Sequence, residues 1–231
     1  MIVGRNTGEW KSKFDGLLRE ELIPDFCQQK SKCLPEGFKE DSNRLEEEDC
    51  RYFLLAWDSG IVRRVAPGKY QGPIESVVEH FFNHGPKSIE PRPYFLALEP
   101  FITFAALARL HYDHNWPTRC LATQSRDWAF DAVAYRPQSD AEHIAGEIKT
   151  TEQVVDRMIA SMVDFGHQPE VQEPPSGPLQ NAYRKVVGLR KRQAPIFWAL
   201  GPSGYSRVFR VDYADDGFIE LAETDAATLD Y

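Results

Sequence analysis

Cysteine is scarce in this chain and is not arranged as a metal site. The 231 residues contain four cysteines, Cys27, Cys33, Cys50 and Cys120, with no Cys-x-x-Cys pair and no nearby histidine set. A structural zinc site needs four ligands at workable spacing. The pattern therefore disfavours a zinc module and predicts free thiols in a reducing compartment.

Long apolar runs and a signal-peptide core are also missing. No stretch approaches the roughly 20 apolar residues that cross a bilayer, and the N-terminus has no apolar h-region. Hydrophobic residues still make up 42% of the chain, which is enough for a sizeable core. We expect a folded, soluble, cytoplasmic protein with no membrane partner.

Basic residues are outnumbered, with 27 Lys and Arg against 35 Asp and Glu. A protein that coats nucleic acid without preference needs an excess of positive charge, so this class is disfavoured. One predicted helix is nevertheless strongly basic, and its cations are predicted to contact nucleic-acid phosphates: Arg184, Lys185, Arg190, Lys191 and Arg192. The alternative is a solvated helix face that balances the acidic runs.

Several enzyme signatures are absent as well. The chain has no P-loop, no G-x-S-x-G motif and no Ser-His-Asp spacing, so P-loop and serine-hydrolase chemistry are not supported. What is present is an ordered series of helix and strand patterns.

Residues 1–92 are predicted to form an N-terminal α/β extension. We predict a helix over 8–26 that ends or kinks at Pro24, a β-hairpin over 51–65 and a short helix over 72–85. The hairpin prediction depends on the turn residues Asp58-Ser59-Gly60.

Residues 93–213 are predicted to form an α/β (α+β) core, with a mixed central sheet flanked by helices. The predicted order is helix, three strands, two helices and two strands: 98–114, 118–126, 128–136, 142–150, 150–165, 179–192, 194–202 and 205–213. Thr150 and Gln153 are predicted to form a capping box. Residues 214–231 are predicted to be an acidic C-terminal tail.

Two of the predicted strands carry charges in an otherwise apolar setting. Residues two apart on a strand face the same side, so Glu147 and Lys149 point together. If the strands pair, Asp131 comes beside them. An unpaired carboxylate in an apolar strand is costly, which favours a functional role.

Two carboxylates at one point suit a divalent cation. Mg²⁺ prefers oxygen ligands and keeps several waters, so Asp131 and Glu147, with the backbone carbonyl of Ile148, are predicted to hold Mg²⁺ or Mn²⁺. Such an ion lowers the pKa of a bound water, and Lys149 is predicted to assist that water or the phosphate.

This pattern resembles the PD-(D/E)XK nuclease superfamily. The resemblance is carried by Phe130-Asp131 and by Gly146-Glu147-Ile148-Lys149, and it extends over roughly half the chain. It implies a restriction-endonuclease-like core and metal-dependent cleavage of DNA. It also implies that Glu99, with Glu79 as second choice, and Gln153 line the site. The family commonly has Pro where this chain has Phe130.

Two alternatives remain open. One is a nuclease-like fold without activity, serving as a nucleic-acid-binding or protein-interaction module. The other is an α/β interaction protein in which Glu147 and Lys149 are only a surface ion pair. The choice between DNA and RNA, between end and internal cleavage, and between monomer, homodimer and partner subunit also stays open.

Overall fold

The computed structural model describes residues 8–29, 42–74, 77–85, 87–88, 94–125, 127 and 129–231. Over these ranges the protein is a mixed α/β structure in which helices cover both faces of a mixed central sheet. No helix within them is long and apolar enough to cross a membrane.

Six α-helices lie between Glu9 and Arg192 in the described residues. They are α1 Glu9–Leu17, α2 Ile23–Gln29, α3 Glu47–Asp58, α4 Leu98–Tyr112, α5 Glu152–Gly166 and α6 Pro178–Arg192. A π-helical turn, Leu18–Leu22, joins α1 to α2, and short 3-10 turns lie at Thr118–Cys120, Pro202–Gly204 and Ala226–Leu229.

The strands form three sheets among the described residues. They are β1 Arg63–Ala66, β2 Lys69–Gln71, β3 Glu79–His80, β4 Phe82–His84, β5 Tyr94–Leu96, β6 Leu121–Thr123, β7 Ala132–Tyr135, β8 Glu142–Ile148, β9 Ile196–Leu200, β10 Ser206–Tyr213 and β11 Ile219–Thr224. The order of the central sheet is β11-β10-β9-β8-β7-β6, with β8 and β9 parallel and the other neighbours antiparallel. Two smaller sheets join β1-β2-β3 and β4-β5.

The central sheet separates two cores, as alternation along its strands requires. Ile144 and Ile148 of β8 face α4 and the N-terminal segment. Ala145, between them, faces α5 and α6. The helix α4 is apolar on nearly all sides because it lies between the sheet and the N-terminal aromatic residues.

The predicted elements from residue 98 onward are confirmed in order. The capping prediction is wrong by one residue, because Thr151 caps α5 and its hydroxyl oxygen accepts the Val154 N–H. The acidic segment 214–231 contains β11, which pairs with β10 along the edge of the central sheet.

Two predictions in the N-terminal segment are wrong. Residues 47–58 form α3 instead of the first strand of a hairpin, and the hairpin that follows joins β1 to β2. The helix predicted over 72–85 is replaced by β3 and β4. The helix predicted over 8–26 is present as a helical segment over 9–29, and its regular α-helical geometry is interrupted by the π-helical turn Leu18–Leu22, shortly before Pro24.

The cysteine prediction holds for only part of the set. Cys50 and Cys120 are buried free thiols, whereas Cys27 is disulfide-bonded. Cys33 lies outside the described residues.

Candidate active site

The pairing of β7 with β8 brings Asp131 and Glu147 together. Ala132 pairs with Gly146, and the Asp131 N–H donates to the Gly146 carbonyl at 2.9 Å. A Cβ atom on Gly146 would lie only 3.0 Å from the carbonyl oxygen of Ala132, so glycine permits this close approach. The two carboxylates therefore lie on neighbouring strands.

The Asp131 side chain is fixed by the backbone of β8. Its Oδ2 accepts the Ile148 N–H at 2.9 Å. Asp131 immediately precedes β7 and is partly exposed, whereas Glu147 lies within β8 and is only 2% exposed. One carboxylate thus faces solvent and the other is buried behind it.

Lys149 covers the oxygen atoms at the end of β8. Its ammonium donates to Glu147 Oε1 at 2.5 Å and to the Ile148 carbonyl at 2.8 Å. These are two of the three oxygen sources that the sequence assigned to a metal ion. In this arrangement, a positive charge already lies where those oxygens converge.

A second lysine, Lys185, contacts the other oxygen of the Glu147 carboxylate. Lys185 of α6 forms an ion pair with Glu147 Oε2 at 2.5 Å and donates to the Ala129 carbonyl at 2.6 Å. The sequence had assigned Lys185 to phosphate contacts on an exposed helix face. It is instead 13% exposed and faces the site.

Burial and charge act in opposite directions on this cluster. Burial, together with the nearby Asp131 carboxylate, raises the pKa of Glu147 to about 7, although Lys185 and Lys149 oppose the rise. Burial acts to lower the pKa of Lys149, but Glu147 and Asp131 outweigh it and the pKa is raised.

A cleft of about 490 Å³ opens in front of Asp131. It lies between the start of α4, the strands β3 to β5 and the end of the central sheet. Polar side chains dominate its lining: Arg44, Glu79, His80, Asn83, Glu99, Thr103, Gln124, Asp131 and Thr150. Glu147 and Lys149 do not line the cleft themselves.

Both candidate glutamates from the sequence, Glu99 and Glu79, line the cleft. Burial and the nearby Asp131 raise the pKa of Glu79 to about 7, and a hydrogen bond with Gln124 opposes the rise. Partial burial also raises the pKa of Glu99, with Lys149 opposing it, although more than a third of this residue is open to solvent. Glu79 lies on β3 and not on the helix predicted over 72–85.

The oxygen atoms here have the chemistry of a Mg²⁺ or Mn²⁺ site. Asp131, Glu147 and the Ile148 carbonyl supply hard oxygen ligands, and Mg²⁺ needs only one or two carboxylates because it keeps waters. Across the described part of the chain, no three His, Cys, Asp or Glu side chains converge tightly enough to enclose a metal ion. Binding would therefore depend on the carbonyl and on displacing the Lys149 ammonium from Glu147.

The remaining predicted site residues lie elsewhere. Gln153 is exposed in the first turn of α5 and does not line the cleft.

The other four basic residues of α6 contact protein groups. Arg184 pairs with Glu173, Lys191 with Asp127, and Arg192 with Asp127 and Glu142. Arg190 donates to backbone carbonyls at the end of α5 and at Gly217. Among these four basic residues, Arg184 and Lys191 have strongly exposed side chains.

No family model, curated protein or solved structure matches this chain.

Proposed function

We propose that the protein is a Mg²⁺-dependent phosphodiesterase of the PD-(D/E)XK type that cleaves DNA. One observation carries this proposal: Asp131, Glu147, the Ile148 carbonyl and the Lys149 ammonium meet at the ends of two paired strands, beside an open polar cleft. The restriction-endonuclease-like core is part of the same proposal.

Each residue has a distinct role in this scheme. Asp131, Glu147 and the Ile148 carbonyl would hold the cation, which, when bound, makes a water molecule more acidic and offsets charge on the phosphate. Lys149 turns from Glu147 towards the cleft and donates to the attacking water or to a phosphate oxygen. Glu79 lines the cleft, where its ionised carboxylate would accept the proton that the water loses.

The test is cleavage of labelled single-stranded DNA, duplex DNA and RNA with Mg²⁺, with Mn²⁺ and with EDTA. Asp131→Asn and Lys149→Ala are each expected to reduce the rate by about 100-fold or more. Lys13→Ala removes an exposed lysine on α1 and is expected to leave the rate unchanged. Cleavage that is insensitive to Lys149→Ala would sink the assigned mechanism.

One observation favours the second candidate, a nuclease-like fold that binds without cleaving. Both oxygens of Glu147 already face lysine ammonium groups, so the carboxylate is neutralised without a metal. If Mg²⁺ and Mn²⁺ neither raise the melting temperature nor support cleavage of any substrate, this second reading replaces the first.

A further inference from the structure

Glu147 is held by two lysines that differ in how they are anchored. The Lys149 ammonium contacts Glu147 and Ile148, the two residues that immediately precede it in the chain. The contacts of Lys185 join α6 to two other segments, at Ala129 and at β8. Release of Lys149 therefore breaks no link between elements, whereas release of Lys185 does.

The position of Lys185 is reinforced by tight packing of α6. Gly188, one helical turn further along, faces the segment before Asp131, and a Cβ there would lie 3.1 Å from the Ala129 Cβ and 3.3 Å from the Phe130 ring. The Lys185 ammonium also lies over the Phe130 ring, at 5.6 Å from its centroid. The helix thus holds Lys185 against the site at close range.

We propose that Lys185 is a positioning residue that holds the buried Glu147 carboxylate while Lys149 leaves it to act in the cleft. This inference rests on the proposed function. A buried carboxylate that loses its only cation is strongly disfavoured. Because Lys185 remains on Oε2, Glu147 stays paired when Lys149 turns away, and Oε1 is released towards the cation.

The first test needs no activity. Thermal unfolding in EDTA is compared for Lys185→Met, Glu147→Gln and the double variant. The two changes are expected to be non-additive by at least about 2 °C, because each removes the same interaction. The matched control is the exposed pair Lys13 and Glu9, at 2.7 Å, for which Lys13→Met and Glu9→Gln should add to within about 1 °C. Additive effects at Lys185 and Glu147 would overturn the proposal.

The second test separates positioning from substrate binding. Lys185→Met is expected to lower kcat by about 10- to 100-fold while the KM for DNA changes less than about two-fold. A raised KM with unchanged kcat would instead assign Lys185 to phosphate binding, as the sequence suggested, and would overturn the positioning role. If the methionine variant does not fold, Lys185→Arg replaces it: the guanidinium keeps the charge but changes the geometry at Glu147 Oε2, so kcat should fall while the KM for DNA changes less than about two-fold.

The two tests also separate this inference from the proposed function. If the unaltered protein cleaves nothing, the proposed function fails, but the melting-temperature cycle still decides whether Lys185 holds Glu147. If cleavage occurs and the cycle is additive, only the role of Lys185 fails.

Discussion

At the scale of single residues, the charged side chains of the site form an inner group and an outer group. Asp131 and Glu147 are formally matched by Lys149 and Lys185, so this inner group is neutral when all four are ionised. Glu79 and Glu99 lie further out, in the cleft. A divalent cation would add two positive charges, which these outer carboxylates can offset by ionising. Burial and the nearby Asp131 carboxylate raise the pKa values of both outer carboxylates.

The outer carboxylates predict a pH dependence of stability without metal. The pKa of Glu79 is raised to about 7 from an ordinary value of 4.5, so the folded protein holds this proton more tightly than the unfolded chain. Its contribution to the free energy of unfolding is complete below about pH 4.5 and is lost as the pH rises through 7. Glu79→Gln should flatten this decline by on the order of 2 kcal/mol, measured by urea unfolding in EDTA from pH 5 to pH 8.

The control for this measurement is Glu220→Gln, at an exposed position on β11. It should leave the pH profile of the free energy of unfolding unchanged. A Glu79→Gln profile that still falls as steeply as the original between pH 5 and pH 7 would contradict the assignment of the raised pKa to Glu79.

The alternation of a strand was enough to predict part of this site. Glu147 and Lys149 share a face because they are two residues apart, and Asp131 joins them through the β7–β8 pairing. Lys185 could not be assigned to the site in the same way. The direction of the Lys185 side chain depends on the angle at which α6 packs on the sheet, and this angle cannot be predicted from the spacing of residues along the helix.

At the scale of elements, the β7–β8 contact sets the distance between the two carboxylates. Gly146→Ala would bring a methyl group to about 3.0 Å from the Ala132 carbonyl, so the strands must separate or shift. We expect a loss of about 1 to 3 kcal/mol in the free energy of unfolding and a fall in cleavage rate larger than the loss of folded protein. Chemical denaturation and the cleavage assay, run on the same preparation, measure both.

Gly16 offers the matched substitution for that experiment. It lies inside α1, and a Cβ there meets nothing within 4 Å, so Gly16→Ala should raise stability by roughly 0.5 to 1 kcal/mol through helix propensity. If Gly146→Ala behaves like Gly16→Ala, the close approach of β7 and β8 is not a constraint on the site.

The elements that the sequence missed show which local signals are weak. Asp58-Ser59-Gly60 is typical of a hairpin turn, but Asp58 is the last residue of α3, and Ser59 and Gly60 follow the end of that helix. The signal for α3 was present at its start, where the Glu46 and Asp49 side chains form a capping box. In 72–85, two very short strands are held by pairing with β2 and β5, and such long-range pairing leaves no periodicity to detect.

At the scale of the whole molecule, the N-terminal segment and the central sheet share one core. Phe14 of α1 and Phe53 of α3 both lie against Phe101 of α4, with ring centroids 5.4 and 4.9 Å from it. Asp49, buried in α3, accepts the N–H of Ser203, which lies in the β9–β10 connection, at 2.8 Å. Both parts contribute to the cleft, because Glu79 belongs to the N-terminal segment and Glu99 to α4.

This shared core predicts that the protein unfolds as one unit. Phe53 and Phe197 are each at most 1% exposed and lie on opposite sides of the central sheet. Phe53→Ala and Phe197→Ala should each cost about 3 to 5 kcal/mol. Each should also move the same single transition, followed by far-UV circular dichroism and by tryptophan fluorescence in urea. If 1–92 were instead an independent extension, Phe53→Ala would split the transition, and the signal of the central sheet would keep its original midpoint. Coincident midpoints for both variants would mean that the N-terminal segment, which carries Glu79, unfolds together with the sheet and α4, which carry Asp131 and Glu99. A change that weakens the N-terminal segment would then also open the cleft.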